Sequence, residues 1–272
     1  SRAIAVLEEI LQRDRYYAEA LFSLARLQLR QHEYDSAIRV LDELIRLEPS
    51  NRDALLLRIQ AYSTQGSFYY AKTLVDEMIR EHPDHEPLQL ELLRILFSQQ
   101  EWDEAFSLIE KLKTQNKSNA EISLLRAYLE LNRGELKTAE KEFRQSLEMN
   151  PRSVDALLGL ASISLRLGKL EEALTTLNQT VEINTRLGRI HFLRATVLFR
   201  MGDYLQGDLA LQRAIENDPQ EPTFLLLSLR RLLMKGGFDA VEQSLRRLQE
   251  KYPLKLEVLQ LRASLETARG DY

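Results

Sequence analysis

The sequence contains no cysteine among its 272 residues, which excludes disulfide bonds, thiolate metal sites and a cysteine nucleophile. Its 10 glycines and 7 prolines are few, and 44% of its residues are hydrophobic, so the chain is neither disordered nor collagen-like. Because no run of about 18 apolar residues is present, we expect no membrane-spanning helix. The formal net charge of −4 offers no excess of basic residues, which argues against general binding to nucleic-acid phosphates.

Motifs that carry catalytic chemistry are also missing. The sequence has no Gly-rich phosphate loop, no nucleophile elbow and no zinc-binding helix motif. Two histidines and three carboxylates fall within residues 81–86 and could hold a divalent ion, but Pro83 predicts a turn there, where polar residues are expected anyway. We therefore predict a protein that is not an enzyme and that has no metal site and no cofactor.

A turn motif recurs at a constant spacing. Gly202-Asp203-Tyr204 returns as Gly270-Asp271-Tyr272, and a large apolar residue stands at every thirty-fourth position: Tyr34, Phe68, Trp102, Leu136, Leu170, Tyr204, Phe238 and Tyr272. Internal repetition of this length is typical of helix-turn-helix units. With the large residue as position 17, the repeats are 18–51, 52–85, 86–119, 120–153, 154–187, 188–221 and 222–255, between half-units 1–17 and 256–272. We expect one array, excerpted from a longer protein, with a further helix after Tyr272.

Within each repeat the sequence predicts two helices. Positions 2 to 14 form the first helix, as from Asp155 to Leu167, and glycine or a polar residue at position 15 closes it. The second helix follows position 17 and carries a small residue at position 20 and an apolar residue at position 24 on one face. Proline at position 32 ends it in five repeats, whereas Arg15, Lys117 and Thr185 replace that proline.

These residues resemble the tetratricopeptide repeat family over the whole chain. One repeat carries the family's spacing in Leu24-Ala25, Tyr34, Ala37, Leu41, Leu44 and Pro49, and another in Leu160-Ala161, Gly168, Ala173 and Leu177. The resemblance implies an all-α helix-turn-helix solenoid, a right-handed superhelix whose concave face is lined by first helices and usually holds a peptide or protein. Val241, beside Ala240, departs from the small residue at position 20 and predicts altered packing near 236–241.

The resemblance places positions 2, 5, 9, 12 and 13 of the first helices on the concave face. Two apolar rows and a set of mostly basic residues would then line a groove for partners with apolar anchors and acidic groups. The predicted groove residues are Phe22, Arg26, Leu29, Arg30, Leu56, Leu90, Arg94, Phe97, Leu124, Tyr128, Leu131, Leu158, Arg166, Phe192, Phe199, Arg200, Leu226 and Arg230. The alternative is that the apolar rows only pack against neighbouring helices.

Alternate repeats differ from each other. One type has arginine at position 7, namely Arg58, Arg126, Arg194 and Arg262, and the other has an acid at position 18, namely Asp35, Asp103, Glu171 and Asp239. One interpretation is the duplication of a repeat pair without functional meaning. The other is that each arginine makes a fixed polar contact between repeats, since an unpaired charge there would be costly.

The sequence favours a scaffold that binds protein or peptide segments. Leu124-Leu125-Arg126-Ala127 and the Gly-Asp-Tyr turns are similar to bacterial envelope arrays that serve polysaccharide secretion or surface assembly, which favours the periplasm or envelope. Two alternatives stay open: a substrate-recognition arm of a larger enzyme, such as a glycosyltransferase, and a self-association module.

Overall fold

A computed structural model describes residues 2–115 and 119–270, which form 16 α-helices and no β-strand. The chain divides into two compact units, Ser1–Ser118 and Asn119–Tyr272. The predictions that rest on Lys117, Asp271 and Tyr272 lie outside the described residues.

The described part of the first unit contains seven helices, in the order α1 (Arg2–Arg13), α2 (Ala18–Arg30), α3 (Tyr34–Leu47), α4 (Arg52–Gln65), α5 (Phe68–Glu81), α6 (Glu86–Ser98) and α7 (Trp102–Thr114). The described part of the second unit contains α8 (Ala120–Arg133), α9 (Leu136–Met149), α10 (Val154–Arg166), α11 (Leu170–Ile183), α12 (Gly188–Met201), α13 (Tyr204–Asn217), α14 (Pro222–Met234), α15 (Phe238–Lys251) and α16 (Leu256–Arg269). Even-numbered helices are the first helices of the repeats and odd-numbered helices the second, as the sequence predicts.

The helices pack in the order in which they follow one another. Each first helix contacts the second helix of its own repeat, and first helices also contact one another, as α2 does α4, α4 does α6, α8 does α10, and α10 does α12. First helices therefore form a common layer within each unit, the arrangement of a helix-turn-helix solenoid. In the part of the chain that the structure describes, none of the helices has the length and apolar character needed to cross a bilayer.

The core follows the repeat pattern. At position 20, the alanines of α3, α5, α7, α9 and α11 are completely buried, and at position 24 Leu41, Val75, Ile109, Phe143, Leu177 and Leu245 are completely buried. Val241 is also completely buried, while at the neighbouring Gly237 a Cβ atom would come within 2.7 Å of the Leu232 side chain. The larger side chain at position 20 is thus accommodated inside the core of α14, α15 and α16.

The turn after each first helix has a left-handed residue at position 15. Six of these residues are glycines with φ between 74° and 89°, and the other two are His32 (φ 61°) and Gln100 (φ 60°). At Gly202 the next amide, that of Asp203, donates to the carbonyl of Leu198 at 3.0 Å, which closes the helix end. The predicted cap at position 15 is confirmed.

Gln100→Gly is expected to stabilise the chain by about 0.5–1 kcal/mol, because a left-handed conformation costs an L-residue more than it costs glycine. The exposed side chain of Gln100 leaves little contact to lose. The neighbouring Gln99 has φ −87°, so the matched Gln99→Gly should instead destabilise by a similar amount. Urea denaturation measures both, and equal effects of the two substitutions would contradict the assignment.

Candidate functional site

The apolar rows of the first helices are only partly exposed. In the first unit Phe22, Leu29, Leu56, Leu90 and Phe97 are half-buried, as are Leu124, Leu131, Phe192 and Phe199 in the second. Leu158 and Leu226, in contrast, are only 1% and 4% exposed, because they pack into the cores beside α11 and α15. For these two residues the prediction of an exposed row is wrong, and the alternative of packing alone describes them.

The predicted groove arginines are all exposed, but they differ in what they contact. The guanidinium of Arg26 lies 6.0 Å from the centre of the Phe22 ring. Arg94 donates to Glu91 at 3.0 Å, and the Glu91 side chain is only 3% exposed. The side chains of Arg30, Arg166 and Arg230 form no hydrogen bond or ion pair within the described ranges 2–115 and 119–270. These last three are therefore available to a partner.

Arg200 has a structural contact that the sequence did not indicate. Its Nη1 donates to the carbonyl oxygen of Leu165 at 2.7 Å, in the last turn of α10. Carbonyls at a helix C-terminus lack partners within the helix and favour a nearby cation. Arg200 thus connects α12 to the end of α10. Its role in partner binding stays a prediction beside that contact.

Tyr128 joins neighbouring repeats in the second unit. Its hydroxyl donates to the carbonyl of Asp155 at 3.1 Å, and its ring meets the Phe143 ring edge to face, with centroids 5.2 Å apart. Burial, followed by the negative charge of Asp155, raises the pKa of Tyr128. The side chain therefore stays neutral and positions α8 against α10.

A pocket between α2 and α4 brings together acidic residues that are not among the predicted groove residues. It has a volume of 400 Å³ and is lined by Ala18, Glu19, Phe22, Ser23, Glu48, Asn51 and Asp53. Glu19 accepts from the Tyr17 hydroxyl at 2.8 Å, and Glu48 accepts from Asn51 Nδ2 at 2.7 Å. Both donors are neutral, so the negative charge of the pocket is not compensated by them.

A pocket at the same repeat positions occurs in the second unit, between α12 and α14. It has a volume of 420 Å³ and is lined by Leu187, Arg189, Phe192, Leu193, Asp218, Glu221, Thr223 and Phe224. Phe192 takes the place of Phe22 and stacks on Phe224 with ring centroids 4.8 Å apart. Arg189 stands where the first unit has Glu19, so this second pocket carries mixed charge.

Two of the alternating arginines contact an acidic residue of the preceding repeat. Arg58 Nη1 donates to Asp42 of the preceding repeat at 2.9 Å, and Arg262 lies 3.7 Å from Glu242 of the repeat before it. At position 14, Gln65 donates to Asp35 and Arg269 donates to Asp239, each at 2.7 Å. These contacts support the interpretation of a fixed polar contact at Arg58 and Arg262.

Arg194 lacks such a contact within the described residues, and Arg126, like Arg262, has a bond within its own helix. Arg126 donates to Glu130 of its own helix at 2.7 Å. The Nε atom of Arg194 is buried without a hydrogen-bond partner. A contact between repeats is therefore not the common property of all four arginines.

The two histidines of residues 81–86 lie in the turn between α5 and α6. His82 follows the end of α5, and His85 precedes the start of α6. Across residues 2–115 and 119–270 the structure contains no group of three or more histidine, aspartate or glutamate side chains that could hold a metal ion.

Comparisons with known proteins point to one kind of repeat. Family models described as tetratricopeptide repeat match residues 1–61 and residues 124–185. No curated protein sequence matches the chain.

Several solved structures have a similar fold. The hetero-tetramer Cut9-Hcn1 of APC/C is 14% identical over 82% of this chain and 44% of its own, with a TM-score of 0.71. A tetratricopeptide repeat protein from Parabacteroides merdae is 17% identical over 81% of this chain and 88% of its own, with a TM-score of 0.65. PilW, a type IV pilus biogenesis factor, is 16% identical over 77% of this chain and 97% of its own, also with a TM-score of 0.65. The chain thus spans less than half of the first of these proteins, and at such identities the likenesses concern the fold alone.

Proposed function

Because the chain belongs to the tetratricopeptide repeat family, we propose that it is a non-enzymatic scaffold that binds protein or peptide segments on its first helices. Repeats of this family are in general interaction modules. The finer parts of the proposal are the partner's chemistry, with apolar anchors and acidic groups, and a place in a bacterial envelope assembly. PilW combines this fold with pilus biogenesis, so an envelope role is compatible with the fold and stays a prediction.

One observation carries the proposal. Arg30, Arg166 and Arg230 are exposed on first helices and form no hydrogen bond or ion pair among the described residues. A guanidinium matches a carboxylate in charge and geometry, and each of these arginines shares its helix with half-buried apolar side chains, such as Leu29 on α2. The first helices therefore present what an acidic segment with apolar anchors requires.

The test is a charge reversal of the exposed arginines. Peptides selected by the chain from a random displayed library should be enriched in acidic and apolar residues. The combined substitutions Arg26→Glu, Arg30→Glu, Arg166→Glu and Arg230→Glu should weaken a selected peptide by at least about tenfold, because each carboxylate would then meet a like charge. Fluorescence anisotropy measures the dissociation constant.

The matched control changes the same number of charges on the second helices. Arg46, Arg80, Arg213 and Arg247 are exposed on α3, α5, α13 and α15. Their replacement by glutamate should leave the selected peptide's affinity within about threefold, since exposed charges away from the site are largely screened. An equal loss in both variants, or no loss in either, would refute binding on the first helices.

A further inference from the structure

The exposed face of α2 has opposite charges at its two ends. Phe22 is half-buried near the middle of this face. Towards the helix N-terminus lies the 400 Å³ pocket with Glu19, Glu48 and Asp53. Towards the C-terminus lie Arg26, next to the Phe22 ring, and Arg30, the last residue of the helix. An aromatic surface thus separates an acidic edge from a basic edge.

Neither edge is neutralised within residues 2–115. Glu19 and Glu48 accept hydrogen bonds only from uncharged groups, and no ion pair joins them, or Asp53, to a cation of these residues. Elsewhere in the same unit charges do pair, as Arg58 does with Asp42 and Lys72 with Glu104, each at 2.9 Å. What distinguishes this face is that unpaired charges of opposite sign lie at the two ends of one helix, on either side of Phe22.

The spacing of the edges fits a short extended segment. Glu19 is seven residues before Arg26 and eleven before Arg30, which at the rise of an α-helix corresponds to about 10 and 16 Å along its axis. An extended chain advances about 3.3 Å per residue, so about three to five residues cover this distance. Half-buried Phe22 and Leu29 offer apolar contact between the two ends.

We propose that this face of α2 takes an extended segment with a basic residue at the acidic edge, an acidic residue at the basic edge and an apolar residue between them. The inference rests on the proposed function and adds to it a basic group in the partner, which the sequence did not predict. A lysine or arginine of the partner enters the pocket beside Phe22, where both the carboxylates and the ring face attract a cation.

The probes are four fluorescein-labelled heptapeptides that differ only in the identity and order of their two charged residues. They are Gly-Lys-Gly-Leu-Gly-Glu-Gly together with its reversed sequence, the same peptide with two glutamates, and the same peptide with two lysines. Binding to the full chain is measured by fluorescence anisotropy at low salt. The mixed peptide, in one of its two directions, should bind at least about fivefold more tightly than either like-charged peptide, because only it avoids a repulsive contact.

Two variants connect this preference to the named residues. In Glu19→Gln, Glu48→Gln, Asp53→Asn the two-glutamate peptide should bind as tightly as the mixed one, since the acidic edge is gone. In the variant Arg26→Gln, Arg30→Gln the two-lysine peptide should bind as tightly as the mixed one, since the basic edge is gone. The matched control, Glu77→Gln with Glu81→Gln on exposed positions of α5, should leave the preference unchanged.

The outcomes separate this inference from the proposed function. If the two-glutamate peptide binds most tightly, or if library peptides bind while none of the four heptapeptides does, the inference is overturned and the scaffold proposal stands. If neither library peptides nor heptapeptides bind, both are overturned. Persistence of the mixed preference in both edge variants would also overturn the assignment to α2.

Discussion

Phe143→Ala is expected to destabilise the second unit by about 3–5 kcal/mol, the range found when a large aromatic side chain is removed from a core. Phe143 is completely buried and lies among Ala127, Ala139, Ala156 and Ile163. Alanine there would leave a cavity that the surrounding helices close only in part. The alanines that surround the ring are too short to fill it.

The Phe143 ring packs directly against the backbone of Gly159 on α10. A Cβ atom at Gly159 would lie 2.2–2.6 Å from three atoms of the Phe143 ring, so that α10 approaches α9 through the absence of a side chain. Gly159→Ala should cost about 1–3 kcal/mol through overpacking, which exceeds the gain of about 1 kcal/mol in helix propensity. Phe143→Leu removes the ring atoms that clash, so Gly159→Ala should lower the stability much less when the two substitutions are combined.

Urea denaturation of the two single variants and the double variant measures this coupling. We expect a favourable interaction of at least about 1 kcal/mol between Phe143→Leu and Gly159→Ala, as for residues in direct contact. Gly159→Ala with Leu41→Ala in the first unit is the control pair and should be additive within about 0.5 kcal/mol. Additivity in both pairs would contradict the close approach of α9 and α10.

Asp208→Ala is expected to cost about 1–3 kcal/mol, because it leaves a largely buried cation without its carboxylate. Arg231 Nε donates to Asp208 at 3.2 Å and Lys235 Nζ donates to it at 2.7 Å. The Arg231 side chain is 16% exposed, and its guanidinium lies 4.7 Å from the centres of the Phe199 and Tyr204 rings. Since Asp208 itself is 33% exposed, the cost stays below that of a fully buried pair.

Arg231→Met provides the contrast. Methionine keeps much of the volume between the two rings and removes the need for a counterion, so the change in stability should stay within about 1.5 kcal/mol. Chemical denaturation of Asp208→Ala, Arg231→Met and the double variant tests this asymmetry. If Arg231→Met costs clearly more than Asp208→Ala, the carboxylate does not serve to compensate the buried cation.

The same pair predicts a dependence on pH. Burial opposes ionisation of Asp208, but the hydrogen bonds from Lys235 and Arg231 outweigh burial and lower its pKa. A folded-state pKa below the unfolded value adds stability above the unfolded pKa, and this stability is lost as the pH falls towards the folded pKa. The difference in unfolding free energy between the wild type and Asp208→Asn should therefore shrink below about pH 4. A difference that is constant over this range would contradict the shift.

The fold was predictable from the sequence because local chemistry decides most of it. The left-handed residue at position 15, the large residue at position 17 and the small residue at position 20 recur at the same spacing. The first marks the end of the first helix, the second marks the start of the second helix, and the third marks its buried face. The predicted first helix from Asp155 to Leu167 differs from α10 by one residue at each end. Gln100, which stands at position 15 where most repeats have glycine, also adopts the left-handed conformation of the turn.

The site was less predictable, because exposure depends on what packs against a helix from elsewhere. Leu158 and Leu124 occupy the same position, yet of the two only Leu158 is buried, in a core with Ala173 and Leu177 of α11. Arg231 stands at a position that is apolar in every other repeat, and nothing in the pattern indicates its contacts with Phe199, Tyr204 and Asp208. The bond from Arg200 to Leu165 likewise joins residues far apart in the sequence.

The pairing of Arg58 with Asp42 limits how an array of this kind can change its length. Loss of one repeat, residues 52–85, would place Leu92 opposite Asp42 and leave a partly buried carboxylate without its cation. Loss of two repeats, residues 52–119, would bring Arg126 to the same position and restore the match. The charge match at this boundary is therefore kept by a change of two repeats and lost by a change of one.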